Sequence, residues 1–278
     1  MGMLRDRMIE EMTLRNFAPD TQKSYLYAVT RLTKYYGRSP DQLKQQEIRA
    51  YLLYLINERK LAPTTMTTVM AGLRFFYHQV LRWDQTDLFL PPRRKTKPLP
   101  EILSPGEVAT LIDAARGPKQ RLVLMTAYSA GLRVSELVNL KVQKIDPELM
   151  MIHIERSKDG KGRYTLLSHH LLQELRAYWQ RYQPATWLFI NRAQDGPMSR
   201  STAGHIYTRA RRRAGIEKGN GIHTLRACFA THLLQAGTDL RTIQLLMGHS
   251  SILSTQRYLR LKQQNLGTTK SPLDLLDL

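Results

Sequence analysis

The chain has 278 residues, of which 42% are hydrophobic, so it is long enough for two domains with buried cores. No apolar run is long enough to span a bilayer and no signal-peptide core is present, which predicts a cytoplasmic protein. The single cysteine, Cys228, excludes an internal disulfide and a cysteine-built zinc site. A net charge of +19 favours nucleic acid as the partner, although a generically basic protein is the alternative.

The first 90 residues show the 3.6-residue hydrophobic period of amphipathic helices and predict a compact helical bundle. The expected helices cover residues 3–15, 20–37, 46–59 and 63–81. The dipeptide Ser39–Pro40 also predicts a short helix, because serine caps helices and proline favours their first position. The side chains expected to face the core of the bundle include Tyr25, Tyr35, Tyr51, Ile56 and Tyr77.

Residues 91–103 are rich in proline and basic side chains, which predicts a linker between two domains. Its cations include Arg93, Arg94 and Lys95. In a DNA-binding protein these cations would lie along the phosphate backbone, whereas otherwise the segment is a solvated connector.

Residues 104–278 predict a second domain that is mainly helical with a small sheet. Helices are expected from Ser104 to about Asn139, and again from Ser199 onward. Between them the period changes, which predicts strands over 149–155 and 163–167 joined by a basic hairpin, and a further short strand over 187–190.

Three polar clusters in this domain are hard to explain by packing. The first is the run from Gly131 to Leu137, which contains Arg133. The second is the pair His223 and Arg226, which share one helix face because they are three residues apart. The third is His249, followed nine residues later by Tyr258. Taken alone, the His223 pair would fit a capping histidine and a surface arginine.

Together the clusters resemble the tyrosine recombinases, which include Xer-type enzymes and the integron and phage integrases. The residues that match the family's pattern, in its order and spacing, are Arg133, Lys158, His223, Arg226, His249 and Tyr258. Lys161 is the alternative for the hairpin lysine, and Ala227 departs from the histidine that the family often has there. The resemblance covers the whole chain and implies a helical, SAM-like core-binding domain over 1–90 ahead of an α+β catalytic domain.

Phosphodiester transfer needs a nucleophile, charge stabilisation and a protonated leaving group. Tyr258 is the expected nucleophile, and attack would leave a 3′-phosphotyrosyl bond, as in the family. Arg133 and Arg226 would clamp the non-bridging oxygens, because a guanidinium fork fits two oxygens. Lys158 would protonate the leaving 5′ oxygen.

Two histidines and a glutamate complete the predicted site. His223 would manage the tyrosine proton or hold the phosphate, and His249 would donate to a phosphate oxygen. Glu136, three residues after Arg133, would support that arginine or His223. Because side chains fill every role and no metalloprotease or two-metal motif occurs, we expect no cofactor, no nucleotide and no metal.

Further contacts with the DNA backbone are expected from one cluster of arginines and from a hairpin lysine, namely Arg209, Arg211, Arg212, Arg213 and Lys161. A solvated helix face is the alternative for the arginines. The expected partner is double-stranded DNA with specific recombination sites, in the cytoplasm and associated with the bacterial nucleoid.

Three functions remain open on the sequence. The first is a recombinase that exchanges strands through a Holliday junction. The second is a type IB topoisomerase, which uses the same chemistry without strand exchange. The third is a non-catalytic, sequence-specific DNA-binding regulator on the same fold, although such a binder would have no need of Tyr258.

The C-terminal tail predicts how protomers assemble. Ser271–Pro272 could begin a short helix whose apolar face consists of Leu273, Leu275, Leu276 and Leu278. A helix of this length is not stable alone, so it should dock on a neighbouring protomer, the alternative being that it docks on its own domain or stays frayed. The family resemblance favours the neighbour, which would link four subunits on DNA into a homotetramer.

Overall fold

The structure is a computed structural model, and it describes residues 2–84, 101–155, 162–249 and 255. The chain divides into two compact units, Met1–Lys97 and Pro98–Leu278. Several predicted residues lie outside the described ranges, namely Arg93, Arg94, Lys95, Lys158, Lys161, Tyr258 and the tail. Within the described ranges, no helix has the length and hydropathy that crossing a membrane requires.

The first unit is built from helices. They are α1 (Gly2–Leu14), α2 (Pro19–Tyr36), α3 (Gln45–Asn57) and α4 (Pro63–Phe75), which continues as a π-helical turn over Phe76–Val80. Proline occupies the first position of α2 and α4, where its missing N–H costs nothing. Gly37 ends α2 in the left-handed conformation, and its N–H donates to the Thr33 carbonyl.

The core of the first unit lies between α2, α3 and α4, with Met8 and Met12 of α1 added to it. Gly72 lets α2 and α4 approach closely, because a Cβ there would lie 3.0 Å from the Tyr25 Cα. Tyr51 and Tyr77 are buried as predicted, and the Tyr77 hydroxyl donates to the Pro40 carbonyl over 2.8 Å.

Two predicted core positions of the bundle are wrong. Tyr35 and Ile56 are 46% and 49% exposed, because they lie at the rims of their helices' apolar stripes. Instead of entering the core, the Tyr35 ring packs on the Tyr54 ring at 4.6 Å. The short helix expected after Ser39 begins at Pro40, as a three-residue 3-10 helix over Pro40–Gln42, but the Ser39 hydroxyl bonds to Asp41 and does not cap the backbone.

The second unit combines helices with a small sheet. Its helices are α5 (Pro105–Asp113), α6 (Pro118–Ser129), α7 (Val134–Val138), α8 (His169–Tyr182), α9 (Arg200–Arg213), α10 (His223–Gln235) and α11 (Leu240–Met247). Four begin at side-chain caps, where the hydroxyl of Ser104, Ser168 or Ser199, or the carboxylate of Asp239, accepts a backbone N–H of the first turn. One large hydrophobic core contains side chains from every helix from α5 through α10, and a smaller core contains side chains of α10 and α11.

The sheet is antiparallel in the order β1-β2-β3, with β1 (Ile145–Asp146), β2 (Met151–Ile154) and β3 (Arg163–Leu166). In its register Ile145 faces Ile152 and Ile154 faces Arg163. The two-residue strand β1 was not predicted, because it is too short to show a period of two.

The strand expected over 187–190 is wrong, since only isolated bridges form there, between Lys141 and Trp187 and between Ile190 and Pro197. The expected fold class is confirmed: the chain is mainly helical, with a small sheet in its second part.

Candidate functional site

A glycine turn positions Arg133. Gly131 has a φ of +58°, and a Cβ at this position would lie 2.3 Å from the Phe229 ring of α10. Only glycine therefore permits this turn to pack against α10. The turn places Arg133 at the start of α7, where 39% of its side chain is exposed. The guanidinium is thus fixed by the fold and still accessible to a ligand.

Glu136 lies among three arginines. It accepts from Arg133 Nη1 at 2.7 Å, and it forms a two-bond pair with Arg163, at 2.7 Å and 2.8 Å. Arg226 Nη1 lies 3.7 Å from the same carboxylate. Burial alone would raise the pKa of Glu136, but the hydrogen bonds and charges of Arg163 and Arg133 outweigh it and lower the pKa to about 2. Glu136 is therefore ionised at neutral pH.

The same three arginines bind the C-terminal end of α11. The carbonyl oxygens of Leu246, Met247 and Gly248 accept from Arg163 Nε, Arg226 Nη2 and Arg133 Nη2, respectively. The last carbonyls of a helix have no partner within the helix and carry its negative dipole end, so cations stabilise them. The arginines thus join α7, β3 and α10 to the segment that leads to His249.

Arg226 is 7% exposed and occupies the first turn of α10. In addition to its bond to Met247, it donates to the Gly131 carbonyl through Nη1. This bond fixes the turn that carries Arg133, so the two arginines are held in one unit. Arg133 and Arg226, which the sequence pattern expects together from two separate segments, therefore both lie beside Glu136.

His223 begins α10, as predicted, one turn before Arg226. Part of the residue is exposed to solvent. Partial burial of the ring lowers the pKa of His223, and the positive charges of Arg226 and Arg133 lower it further, against a smaller opposing effect of Glu136. The lowered pKa favours the neutral imidazole, which is able to accept a proton.

His249 follows Gly248, which ends α11 in the left-handed conformation. A Cβ at Gly248 would lie 2.6 Å from Arg163 Cδ, so the glycine is needed for the arginine to pass. The His249 N–H donates to the Gln244 carbonyl, and its Nδ1 lies 2.8 Å from the buried Thr255 hydroxyl. These contacts orient the imidazole through its Nδ1 side.

Arg163 is a site residue that the sequence interpretation missed. It was expected only as a strand residue after the hairpin, yet both terminal nitrogens of its guanidinium bond to Glu136. The signal available was its position in the strand, because residues two apart share a face and Thr165 is fully buried. A cation facing inward needs a buried partner, and a carboxylate was the obvious candidate.

The arginines predicted to contact DNA lie along the last turns of α9. Arg211 donates to the carbonyls of Glu217 and Gly219, and Arg213 donates to the Ala114 carbonyl at 3.2 Å. These two side chains therefore also hold loops of the domain. Arg209 and Arg212 are exposed. In the part of the chain that the structure describes, no group of three His, Cys, Asp or Glu side chains is arranged to hold a metal ion.

Comparison with known proteins gives consistent results for both parts of the chain. Residues 101–265 match the model of the phage integrase family, and residues 4–87 match the N-terminal SAM-like domain of phage integrases. A Sinorhizobium fredii protein described as an integrase/recombinase is 42% identical over 277 residues, which cover 99% of this chain and 90% of that protein. Tyrosine recombinase XerC of Staphylococcus epidermidis is 30% identical, covering 91% of this chain and 90% of that protein.

A solved structure shows the same fold. The XerH site-specific recombinase bound to a palindromic difH substrate superposes with a TM-score of 0.72 over 94% of this chain and 82% of XerH, at 20% identity.

Proposed function

The chain belongs to the phage integrase family and is a tyrosine recombinase, an enzyme of site-specific DNA recombination, and we propose that it works through a 3′-phosphotyrosyl bond to Tyr258. The observation that carries the proposal is the arrangement of Arg133 and Arg226 beside one ionised carboxylate, Glu136. Two guanidinium groups fixed in this way can bind the non-bridging oxygens of one phosphate without rearranging as its charge grows.

In the proposed cleavage step, Tyr258 Oη attacks the phosphorus atom and forms a new P–O bond while the bond to the 5′ oxygen breaks. His223 accepts the tyrosine proton, because its lowered pKa favours the unprotonated imidazole, which has a nitrogen free to take one. Lys158 gives a proton to the leaving 5′ oxygen. Because one phosphodiester replaces another, a 5′ hydroxyl can reverse the step without ATP or another source of energy.

His249 is the proposed donor to a third position on the phosphate. Its ring is oriented through Nδ1 by Thr255, so Nε2 is the atom that would donate. Glu136 and Arg163 do not touch the substrate in this mechanism. They hold Arg133 and the end of α11 in place, which keeps the phosphate-binding groups at fixed separations.

The proposed substrate is double-stranded DNA carrying specific recombination sites, and the proposed product of the first exchange is a Holliday junction. The net charge of +19 supports a polyanionic substrate. The similarity in fold to XerH, which is described as bound to its difH substrate, supports duplex DNA as that substrate.

Strand exchange can be tested with two duplexes that carry the natural site, one of them labelled, in excess EDTA and without nucleotide. We expect branched junctions, and recombinant products in which labelled DNA is joined to DNA of the unlabelled duplex. Relaxation of supercoils without any junction would instead assign the topoisomerase activity, and complete dependence on Mg²⁺ would contradict the mechanism.

We further propose that the active form is a homotetramer on DNA, in which the tail of each protomer docks on its neighbour. The support is the amphipathic sequence of the tail, with its row of leucines at 273, 275, 276 and 278. Deletion of residues 270–278 should leave binding of one protomer to a half-site intact while weakening cooperative binding and recombination. Normal recombination by the truncated protein would show that the tail does not act between protomers.

A further inference from the structure

A basic cavity of about 610 Å³ lies in the second unit, between the α5–α6 junction, α9 and the loop that precedes α9. Its cationic side chains are Arg116, Lys119, Arg192, Arg209 and Arg213, and His205 lies among them. No Asp or Glu lines the cavity among the residues that the structure describes. The electrostatic potential inside it is therefore positive and attracts anions.

Lys119 is the most enclosed of these cations. Its ammonium donates to the Ile190 carbonyl, and burial lowers the pKa of the amine, with no carboxylate among the causes. An ammonium has three N–H groups, so a single carbonyl does not satisfy it. Asp195 is the acidic residue of the loop that precedes α9. Its carboxylate accepts a hydrogen bond from the Asn191 amide at 2.6 Å. A bound anion would stabilise the charged form of Lys119.

The cavity is separate from the Glu136 site. It opens at the first turn of α6, whereas Arg133 lies beyond the last residue of that 12-residue helix. A helix of this length spans about 18 Å, so one phosphate cannot reach both places.

We propose that this cavity holds a second phosphate of the DNA substrate, away from the phosphate that is cut. The inference rests on the proposed function for its ligand but not on the cleavage chemistry. DNA is favoured over a free anion because Arg116, Arg192 and Arg209 are exposed at the rim, where a continuous strand can pass between them. Contacts of this kind fix the orientation of a protein on its duplex without reading sequence.

The test compares two double variants in binding to a duplex half-site. Arg116→Gln with Arg209→Gln removes two rim cations of the cavity. Arg176→Gln with Arg181→Gln removes two arginines of α8 and keeps the same net charge as the first variant. Affinity is measured as the salt concentration rises from about 50 to about 200 mM. Ordinary DNA is used first, followed by a series of duplexes that each carry one neutral methylphosphonate.

For the cavity variant we expect the slope of log Kobs against log salt to fall by about 0.9 for each phosphate that the protein no longer neutralises, and the α8 control to keep the slope of the unmodified protein. In the unmodified protein, a methylphosphonate at one position of the series, away from the cut, should weaken binding. In the cavity variant the same methylphosphonate should have no further effect.

Three results would overturn the inference. One is an equal slope change in both double variants, which would indicate net charge alone. Another is an unchanged methylphosphonate penalty in the cavity variant. The third is stabilisation of the protein by tripolyphosphate through these arginines without any effect on DNA binding, which would assign a free anion. None of these measurements requires cleavage, so failure of the phosphotyrosyl mechanism would be seen separately.

Discussion

Arg163 of β3 donates two hydrogen bonds, of 2.7 Å and 2.8 Å, to the Glu136 carboxylate of α7. Its Nε donates a third to the Leu246 carbonyl at the end of α11. One side chain therefore joins the sheet to two helices at the place where the predicted site residues meet. Both partners are largely enclosed, at 12% and 13% side-chain exposure. An enclosed ion pair of this kind fixes the positions of the neighbouring site residues more firmly than an exposed pair would.

Replacement of Arg163 by Gln should destabilise the second unit by about 3 kcal/mol, because it leaves the Glu136 carboxylate buried with fewer donors. Arg163→Lys should be intermediate, since it keeps the charge but loses the fork. Chemical denaturation measures the difference. Arg176→Gln is the matched control, because this α8 arginine should change stability by less than about 0.5 kcal/mol. Equal effects of Arg163→Gln and the control would refute the role assigned to Arg163.

Substitution of Arg133 or Arg226 by Lys should lower the rate of DNA cleavage about 100-fold or more, because a single ammonium cannot bind two phosphate oxygens in the transition state. Single-turnover cleavage of a nicked substrate measures the rate. Arg226 also holds the Gly131 turn, so thermal unfolding must show that each variant is folded. Full cleavage activity in either folded variant would contradict the clamp.

The sequence predicts the fold well where periodic patterns and caps are long. The helices starting at Pro63 and at His223 begin where the pattern places them, because proline, a helix cap or an apolar stripe marks each start. Prediction from the sequence fails where the conformation of a residue depends on residues that are distant in the chain but close in space. Trp187 makes only one bridge to Lys141, and Tyr35 packs against Tyr54 at the surface, which no local pattern encodes.

The site shows the same division. Arg133, Glu136, His223 and Arg226 could be selected from spacing and family resemblance, and they do lie together. The strand position of Arg163 could indicate an inward-facing cation, but its specific partner could not be identified, because Glu136 is 27 residues away and the link depends on how β3 packs beside α7 and α11. The use of three arginines to cap consecutive carbonyls of α11 is likewise a tertiary feature.

Lys158→Ala should slow cleavage of ordinary DNA, because the leaving 5′ oxygen then lacks its proton donor. A substrate with a 5′-phosphorothiolate at the cut should restore the rate, since a thiolate leaves without protonation. Parallel measurements on Lys161→Ala serve as the control from the same hairpin. Rescue confined to Lys161→Ala would move the assignment to that residue, and absence of rescue in both would remove the general acid from the hairpin.

Acid should weaken the fold through Glu136. Its pKa is about 2 in the folded protein against an ordinary value of 4.5, so its stabilising effect is complete above pH 4.5 and is lost as the pH falls toward 2. In Glu136→Gln this dependence should be absent. The free energy of unfolding of the two proteins should therefore converge by on the order of 3 kcal/mol between pH 6 and pH 2. A constant difference over that range would contradict the ionised Glu136 at the centre of the site.

Trapping the covalent bond between Tyr258 and DNA tests the proposed mechanism most directly. A half-site duplex nicked just beyond the cut loses its short 5′-hydroxyl fragment after cleavage, so religation stops and the protein–DNA adduct accumulates. We predict an adduct on denaturing gels for the unmodified protein, with the 3′ phosphate attached to the peptide that contains Tyr258. Tyr258→Phe should bind the same DNA with unchanged affinity and form no adduct. An adduct formed by Tyr258→Phe, or attached to another residue in the unmodified protein, would contradict the mechanism.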